Sequence, residues 1–249
     1  MTKALVSTDT HSFAEPEHFR IRNVDLDLEV SFDRRQLGGI AILSIERLSA
    51  NSDSLVLDTR DLAVTAVAGS EDGGAFSKRN WHLGPRDSLL GSALIIQVTP
   101  RDRFVSIAYS TSPDASGLQW LEPSQTASRH SPFLYTQSQE IHARSWIPLQ
   151  DTPSVRVTFS AKITAPRRLR PVMGADSCLE IAPVDRYEFR MMQPIPAYLI
   201  ALAVGNIDFV ATGKRTGVYT EPPMLTAAAR EFADTERMLQ AAEQLYGPY

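Results

Sequence analysis

Val24-Asp25-Leu26-Asp27-Leu28-Glu29-Val30-Ser31-Phe32 alternates apolar and polar side chains at every step. An extended chain turns successive side chains to opposite faces, so this stretch predicts a strand with one face buried and one in water. Downstream, Asp33-Arg34-Arg35-Gln36-Leu37-Gly38-Gly39 reads as a turn, and extended structure resumes over Ile40, Ile42 and Leu43 to Leu48, which predicts a hairpin. Leu55-Val56-Leu57 and Leu62, Val64 and Ala66 are two shorter strands, and Asp72-Gly73-Gly74 supplies a turn in which glycine permits positive φ. Leu94 to Val98 and Phe104 to Tyr109 read as the next pair of strands. Val155, Val157, Phe159, Ala161 and Ile163 alternate with Arg156, Thr158, Ser160 and Lys162 in a second clear half-exposed strand, ended by Pro166. Tyr187, Phe189 and Met191 alternate again, and Tyr198 to Val204 is an almost continuous apolar run, as in a strand covered on both faces. Many short strands with regular turns predict an all-β sandwich or stacked sheets.

The pattern changes after residue 207. Glu221-Pro222-Pro223 leads into Met224 to Leu245, where Leu225, Ala228, Phe232, Leu239, Ala242 and Leu245 share one helical face. Proline at the first turn and Gly247-Pro248 beyond the end are start and stop signals. One C-terminal amphipathic helix is expected there, its apolar stripe lying on the β-domain or opening a further domain.

The 249 residues are 43% hydrophobic and 22% charged with a formal net charge of −4, which is globular rather than disordered composition. A dedicated nucleic-acid binder would carry a Lys/Arg excess, so no nucleic-acid partner is expected. The single cysteine, Cys178, excludes an intrachain disulfide and a Cys-rich zinc site, and fits a reducing compartment such as the cytoplasm. Cys178 reads as a buried or incidental thiol. The opening residues Met1 to Thr10 lack the apolar core of a signal peptide. The apolar stretch Ile195 to Val204 is interrupted by Pro196 and is about half of the ~20 residues a spanning helix needs, so no membrane span is expected.

No His-Glu-x-x-His occurs, and none of His11, His18, His82, His130 and His142 has another histidine at i+4, so a helical two-histidine metal site is excluded. A nucleophile elbow, a Walker loop and a dinucleotide glycine fingerprint are likewise missing. The segment Leu118 to Pro153 is long, weakly periodic and dense in amides and aromatics, the character of a functional loop on a rigid scaffold. Gln137 and Gln139, two apart on an extended segment, can present amide oxygens to an ammonium group from one face; the alternative is that they hydrogen-bond neighbouring loops. His142 and Arg144 read as holding this segment through hydrogen bonds and an ion pair with Asp151. Trp120 and Trp146 read as packing anchors, and Arg167-Arg168-Leu169-Arg170 as a solvated turn.

Several ordered motifs together resemble the amino-terminal domain of the gluzincin (M1) zinc aminopeptidases, in the branch of leukotriene A4 hydrolase and its bacterial aminopeptidase relatives. They are Leu55 to Leu62, Leu118-Gln119-Trp120-Leu121, Gln137-Ser138-Gln139 with Ile141-His142-Ala143-Arg144, Gln150 to Val155, Pro194 to Leu202 and Gly247-Pro248-Tyr249. The resemblance implies a mainly β, saddle-like sandwich of mixed and antiparallel sheets over residues 1–207, with 208–249 the truncated start of a thermolysin-like catalytic domain. It implies that Gln137 and Gln139, with the backbone of Ser138, hold the free amino end of a peptide substrate. Most other branches carry glutamate where Gln139 stands; the amide keeps an oxygen acceptor but gives up the charge attraction. The family's zinc helix and general-base glutamate lie beyond residue 249, so the resemblance implies no catalytic residue and no metal ligand in this chain. Zinc and a downstream catalytic domain belong to a longer parent, and this chain by itself is expected to be inactive. The alternative is a self-standing β-sandwich that binds a protein or peptide partner.

Overall fold

A computed structural model describes residues 9–181 and 185–248, with the side chains of all of these but 177–181. Strands are numbered in chain order. The largest sheet is built from β1 (Phe19–Ser31), β2 (Gln36–Arg47), β4 (Ala63–Ser70), β5 (Ser77–Lys78), β8 (Phe104–Ser110), β11 (Arg156–Thr164), β13 (Ser177–Ile181) and β14 (Arg186–Pro196), in the order β13-β14-β11-β1-β2-β8-β4-β5. The alternation behaves as read: Val24, Leu26, Leu28 and Val30 of β1 and Val157, Phe159, Ala161 and Ile163 of β11 are buried, while Asp27, Glu29 and Lys162 face solvent.

These two strands are parallel neighbours, with Leu26 opposite Ala161 and Leu28 opposite Ile163, whereas the other pairings of the sheet are antiparallel. Parallel strands need a long crossover. Here it runs from Ser31 to Arg156 and includes two smaller sheets. One has the order β3 (Ser54–Thr59), β7 (Ser92–Gln97), β6 (Trp81–Leu83). The other has the order β12 (Arg170–Met173), β15 (Leu202–Gly205), β10 (Phe133–Thr136), β9 (Leu118–Leu121) and recruits two strands from after the crossover. One apolar core joins the inner face of the large sheet to Leu55, Leu57, Leu94 and Ile96 of the first and Leu134, Leu202 and Val204 of the second. The mainly β fold of mixed and antiparallel sheets is thus as expected.

Four local readings need correction. The first turn covers only 32–35: Gly38 and Gly39 lie within β2, where a Cβ on Gly39 would fall 2.0 Å from the Asp27 carbonyl oxygen, so the glycine serves close strand approach. β7 and β8 are not partners; β7 joins β3 and β6 while β8 joins β2 and β4. Apolar runs of similar length carry no label for their partner. The run Tyr198 to Val204 is strand only from Leu202, because a 3-10 turn at Ala197–Leu199 comes first. Finally, the expected single helix is two, α1 (Leu225–Glu231) and α2 (Thr235–Tyr246), preceded by an unforeseen hairpin of β16 (Asp208–Ala211) and β17 (Gly217–Thr220). The break spans residues 232–234, and Asp234, a residue type that competes with helical hydrogen bonding and prefers helix ends, directly precedes α2. It lets α2 meet the hairpin turn, where the Arg215 guanidinium binds Glu236 at 3.2 Å and Glu243 at 2.7 Å. Neither helix buries a residue, and Phe232, Met238 and Leu245 are exposed.

Candidate functional site

Because β1 and β11 run in the same direction, the segments leading into them, 9–18 and 150–155, lie at one end of the sheet. Gln150 ties the two together, its side-chain oxygen accepting from Ile21 N at 3.0 Å and its amide donating to Phe19 O at 2.7 Å. The segment after β10 arrives at the same place. Thr136 pairs with Leu118, and Gln137 N donates to Gly117 O at 2.9 Å, after which the chain leaves the ladder. Ser138 turns inward: its hydroxyl donates to Ile200 O at 3.1 Å and accepts from Trp146 Nε1 at 3.0 Å. With Ser138 inside, its neighbours Gln137 and Gln139 face out, and both are exposed. Among the described residues neither glutamine side chain is bonded to a neighbouring loop. The turn closes with His142 N donating to Ser138 O at 2.8 Å, and a 3-10 turn, Ala143–Ser145, follows.

A cleft of about 570 Å³ opens beside this turn. Gln139, Glu140 and Ile141 line it from one segment, Thr152, Pro153 and Ser154 from a second and Asp9 and His11 from a third, with Tyr198. Of the three residues expected to bind substrate, Gln139 lines the cleft; Gln137 and Ser138 do not.

Beneath the cleft lies a buried ionic network. Arg144 is inaccessible to solvent, and its Nε lies 3.1 Å from Asp151 Oδ2 while its Nη1 lies 3.4 Å from Asp58 Oδ1. It donates further to the carbonyls of Leu90 (3.2 Å), His11 (2.7 Å) and Asp151 (3.0 Å). Asp58 accepts from Ser12 Oγ at 2.6 Å, Phe13 N at 2.7 Å and Asp151 N at 2.9 Å. The expected Arg144–Asp151 pair is present; Asp58 was missed, although a carboxylate closing the apolar run Leu55-Val56-Leu57 was a visible signal. His142 also plays its expected holding role, its Nδ1 2.8 Å from Ser116 Oγ and 3.3 Å from Arg60 Nη1. Burial and the Arg60 charge push its pKa down, which favours the neutral ring.

Burial pushes the Asp151 carboxyl up to about 6, against the pull of Arg144. The folded state therefore holds this proton more tightly than the unfolded chain, and the stabilisation it brings is full below pH 4 and lost as pH rises through 6. The swing is on the order of 3 kcal/mol. Asp151→Asn keeps an oxygen for the two Arg144 donors while Asp58 still balances the guanidinium. Its unfolding free energy, measured by urea denaturation between pH 4 and 7, is expected to lack the decline that wild type shows; parallel curves would contradict the assignment.

The remaining sequence readings divide. Trp146 is fully buried and Trp120 packs edge-on against Phe32 with ring centroids 5.3 Å apart, both as anchors. Arg167 and Arg168 occupy an exposed turn, but Arg170 belongs to β12 and lies over the Tyr219 ring. Cys178 is a residue of β13 whose thiol lies outside the described side chains, as do Met1 to Thr8 and Tyr249. Among the described residues no helix is long and apolar enough to cross a membrane, and no group of three His, Cys, Asp or Glu side chains is placed to hold a metal ion.

The molecule is a mixed-sheet β domain whose strand lead-ins and glutamine-bearing turn line a common cleft. Residues 15–199 match the Peptidase M1 N-terminal domain, and the chain belongs to that family. It is 39% identical to leukotriene A-4 hydrolase of Xenopus laevis, over 97% of this chain and 40% of that protein. It is 38% identical to leucine aminopeptidase 2 of Yarrowia lipolytica, over 97% of this chain and 37% of that one. The structure of native yeast LTA4 hydrolase superposes with a TM-score of 0.91 at 34% identity, covering all of this chain and 39% of that one. The yeast LTA4 hydrolase complex with bestatin gives 0.89. The chain therefore spans about two-fifths of the length of these relatives.

Proposed function

We propose that this chain is the substrate-side amino-terminal domain of a zinc-dependent aminopeptidase that removes amino-terminal residues from peptides. The observation that carries the reading is the exposed Gln139 amide on the wall of the cleft, without a hydrogen-bond partner among the described residues, in a domain of the M1 family whose relatives include a leucine aminopeptidase. The Gln139 oxygen accepts from the substrate's ammonium, and Gln137, exposed two residues before it, offers a second amide outside the cleft lining. Residues 1–207 form the domain, and 208–249 open the catalytic domain that is its partner in the parent. The contacts of the β16–β17 hairpin with α1 and α2 support that division, while Tyr219 and Glu221 tie this unit to the β domain through Arg170, Ala127 N and Ser128 N. Zinc would supply a Lewis acid from the downstream domain; among the described residues here no group of three His, Cys, Asp or Glu is placed to hold it, and this chain's part is to bind and orient. The single cysteine accords with a cytoplasmic setting.

A hydrogen bond to a charged group contributes about 1.5–3 kcal/mol, which is roughly 10- to 150-fold in binding. In the polypeptide continued past residue 249, Gln139→Ala is expected to lower kcat/KM for an aminoacyl chromogenic substrate by a factor in that range, with the zinc content unchanged. Kinetics equal to wild type would remove Gln139 from the site.

A further inference from the structure

The strap wall of the cleft lies more than a hundred residues in sequence from the other two, yet all three converge on one side chain. Arg144 Nη2 donates to His11 O at 2.7 Å on the amino-terminal strap, and to Asp151 O at 3.0 Å on the wall of Thr152 and Pro153. Its own backbone continues the Gln139–Ile141 wall, three residues after Ile141. Asp58 locks the same pieces from below, through Ser12 Oγ, Phe13 N and Asp151 N. Arg144 is fully buried and lines no part of the cleft, so it touches no ligand there. We infer that Arg144 is a positioning residue for the substrate's amino end: its guanidinium sets the spacing between the Gln139 wall, the Thr152–Pro153 wall and the Asp9–His11 strap. This rests on the Gln139 reading above.

The physical reason is the fork. Arginine offers five donors in a rigid plane, and here three nitrogens reach the strap, the 151 turn, the Leu90 carbonyl and two carboxylates at once. A lysine ammonium keeps the charge but is a single point, and it leaves the strap or the 151 turn untied. Misplacing a binding group by about 1 Å is enough to forfeit much of its contribution.

The test uses this chain and leucine amide, a probe with a free ammonium, followed by NMR titration, with N-acetyl-leucine amide as the control lacking that charge. Wild type is expected to bind leucine amide and not the control, and Gln139→Ala to abolish binding. Arg144→Lys, shown folded by its amide spectrum, is expected to weaken leucine amide about tenfold. Val67→Ala, which destabilises β4 at a site three strands from β1, is expected to bind as wild type does, separating positioning from general loosening. Should Arg144→Lys fail to fold, Ser12→Ala removes one tether of the strap and is expected to weaken the probe two- to fourfold, about the worth of one lost tether. Binding that Gln139→Ala abolishes but that folded Arg144→Lys leaves unchanged, or failing its folding Ser12→Ala, overturns this inference alone. A wild-type chain that binds no leucine amide overturns the Gln139 reading and this inference with it.

Discussion

Arg144→Ala is expected to lower the unfolding free energy by about 3–5 kcal/mol, enough to leave the domain marginal or unfolded at 37 °C. The cost has two sources. Truncation leaves Asp58 and Asp151, both almost inaccessible, facing each other without the cation that balances them. A buried carboxylate without a partner is far more costly than the intact pair was favourable. The carbonyls of His11, Leu90 and Asp151 also lose their donor, so the strap, the β7 lead-in and the 151 turn are released together. Chemical denaturation measures this directly. The companion Asp151→Asn, which keeps the hydrogen bonds and one carboxylate for Arg144, is expected to cost far less. Equal losses in the two variants would show that the Asp151 charge, rather than the donors and volume of the guanidinium, carries the effect.

Trp146→Ala is the second large effect, expected to cost about 3–5 kcal/mol. Trp146 is the largest fully buried side chain, and truncation opens a cavity in the core. The indole also donates from Nε1 to Ser138 Oγ, one of the two inward contacts, with Ile200 O, that hold Ser138 inside and turn Gln137 and Gln139 outward. Trp146→Phe keeps most of the apolar area and loses that donor. It is therefore expected to recover most of the stability, with near-ultraviolet circular dichroism and denaturation as the measures, while Gln139 remains exposed. A Phe variant as unstable as the Ala variant would place the whole effect on the hydrogen bond.

The half-exposed strands were legible because burial on one face imposes period two within a few residues. β1 and β11 could be read from Val24 to Val30 and from Val157 to Ile163 alone. The Arg144–Asp151 pair was legible for a similar reason, since the two lie seven residues apart in one polar segment. Gln139 was singled out by its residue type and by the motif around it. Asp58 and the strap at Asp9 and His11 were not, because nothing local to them names a partner that lies about ninety to a hundred and thirty residues away. The same limit makes β7 and β8 resemble a pair and α1 and α2 a single helix at the level of sequence. The break between them needed the Arg215 contacts as well as Asp234.

By itself the amino-acid sequence determined the class of the fold, the inward face of its main strands and the type of residue at the candidate site, since each follows from side chains within a few positions of one another. Only the tertiary structure decided that β1 and β11 run parallel, and therefore that the segments before them meet at one sheet end. It also decided that one buried guanidinium joins those segments beneath Gln139. Strand partners and charge partners are chosen by which distant groups can be desolvated together, a free energy that exists only once the chain has closed on itself.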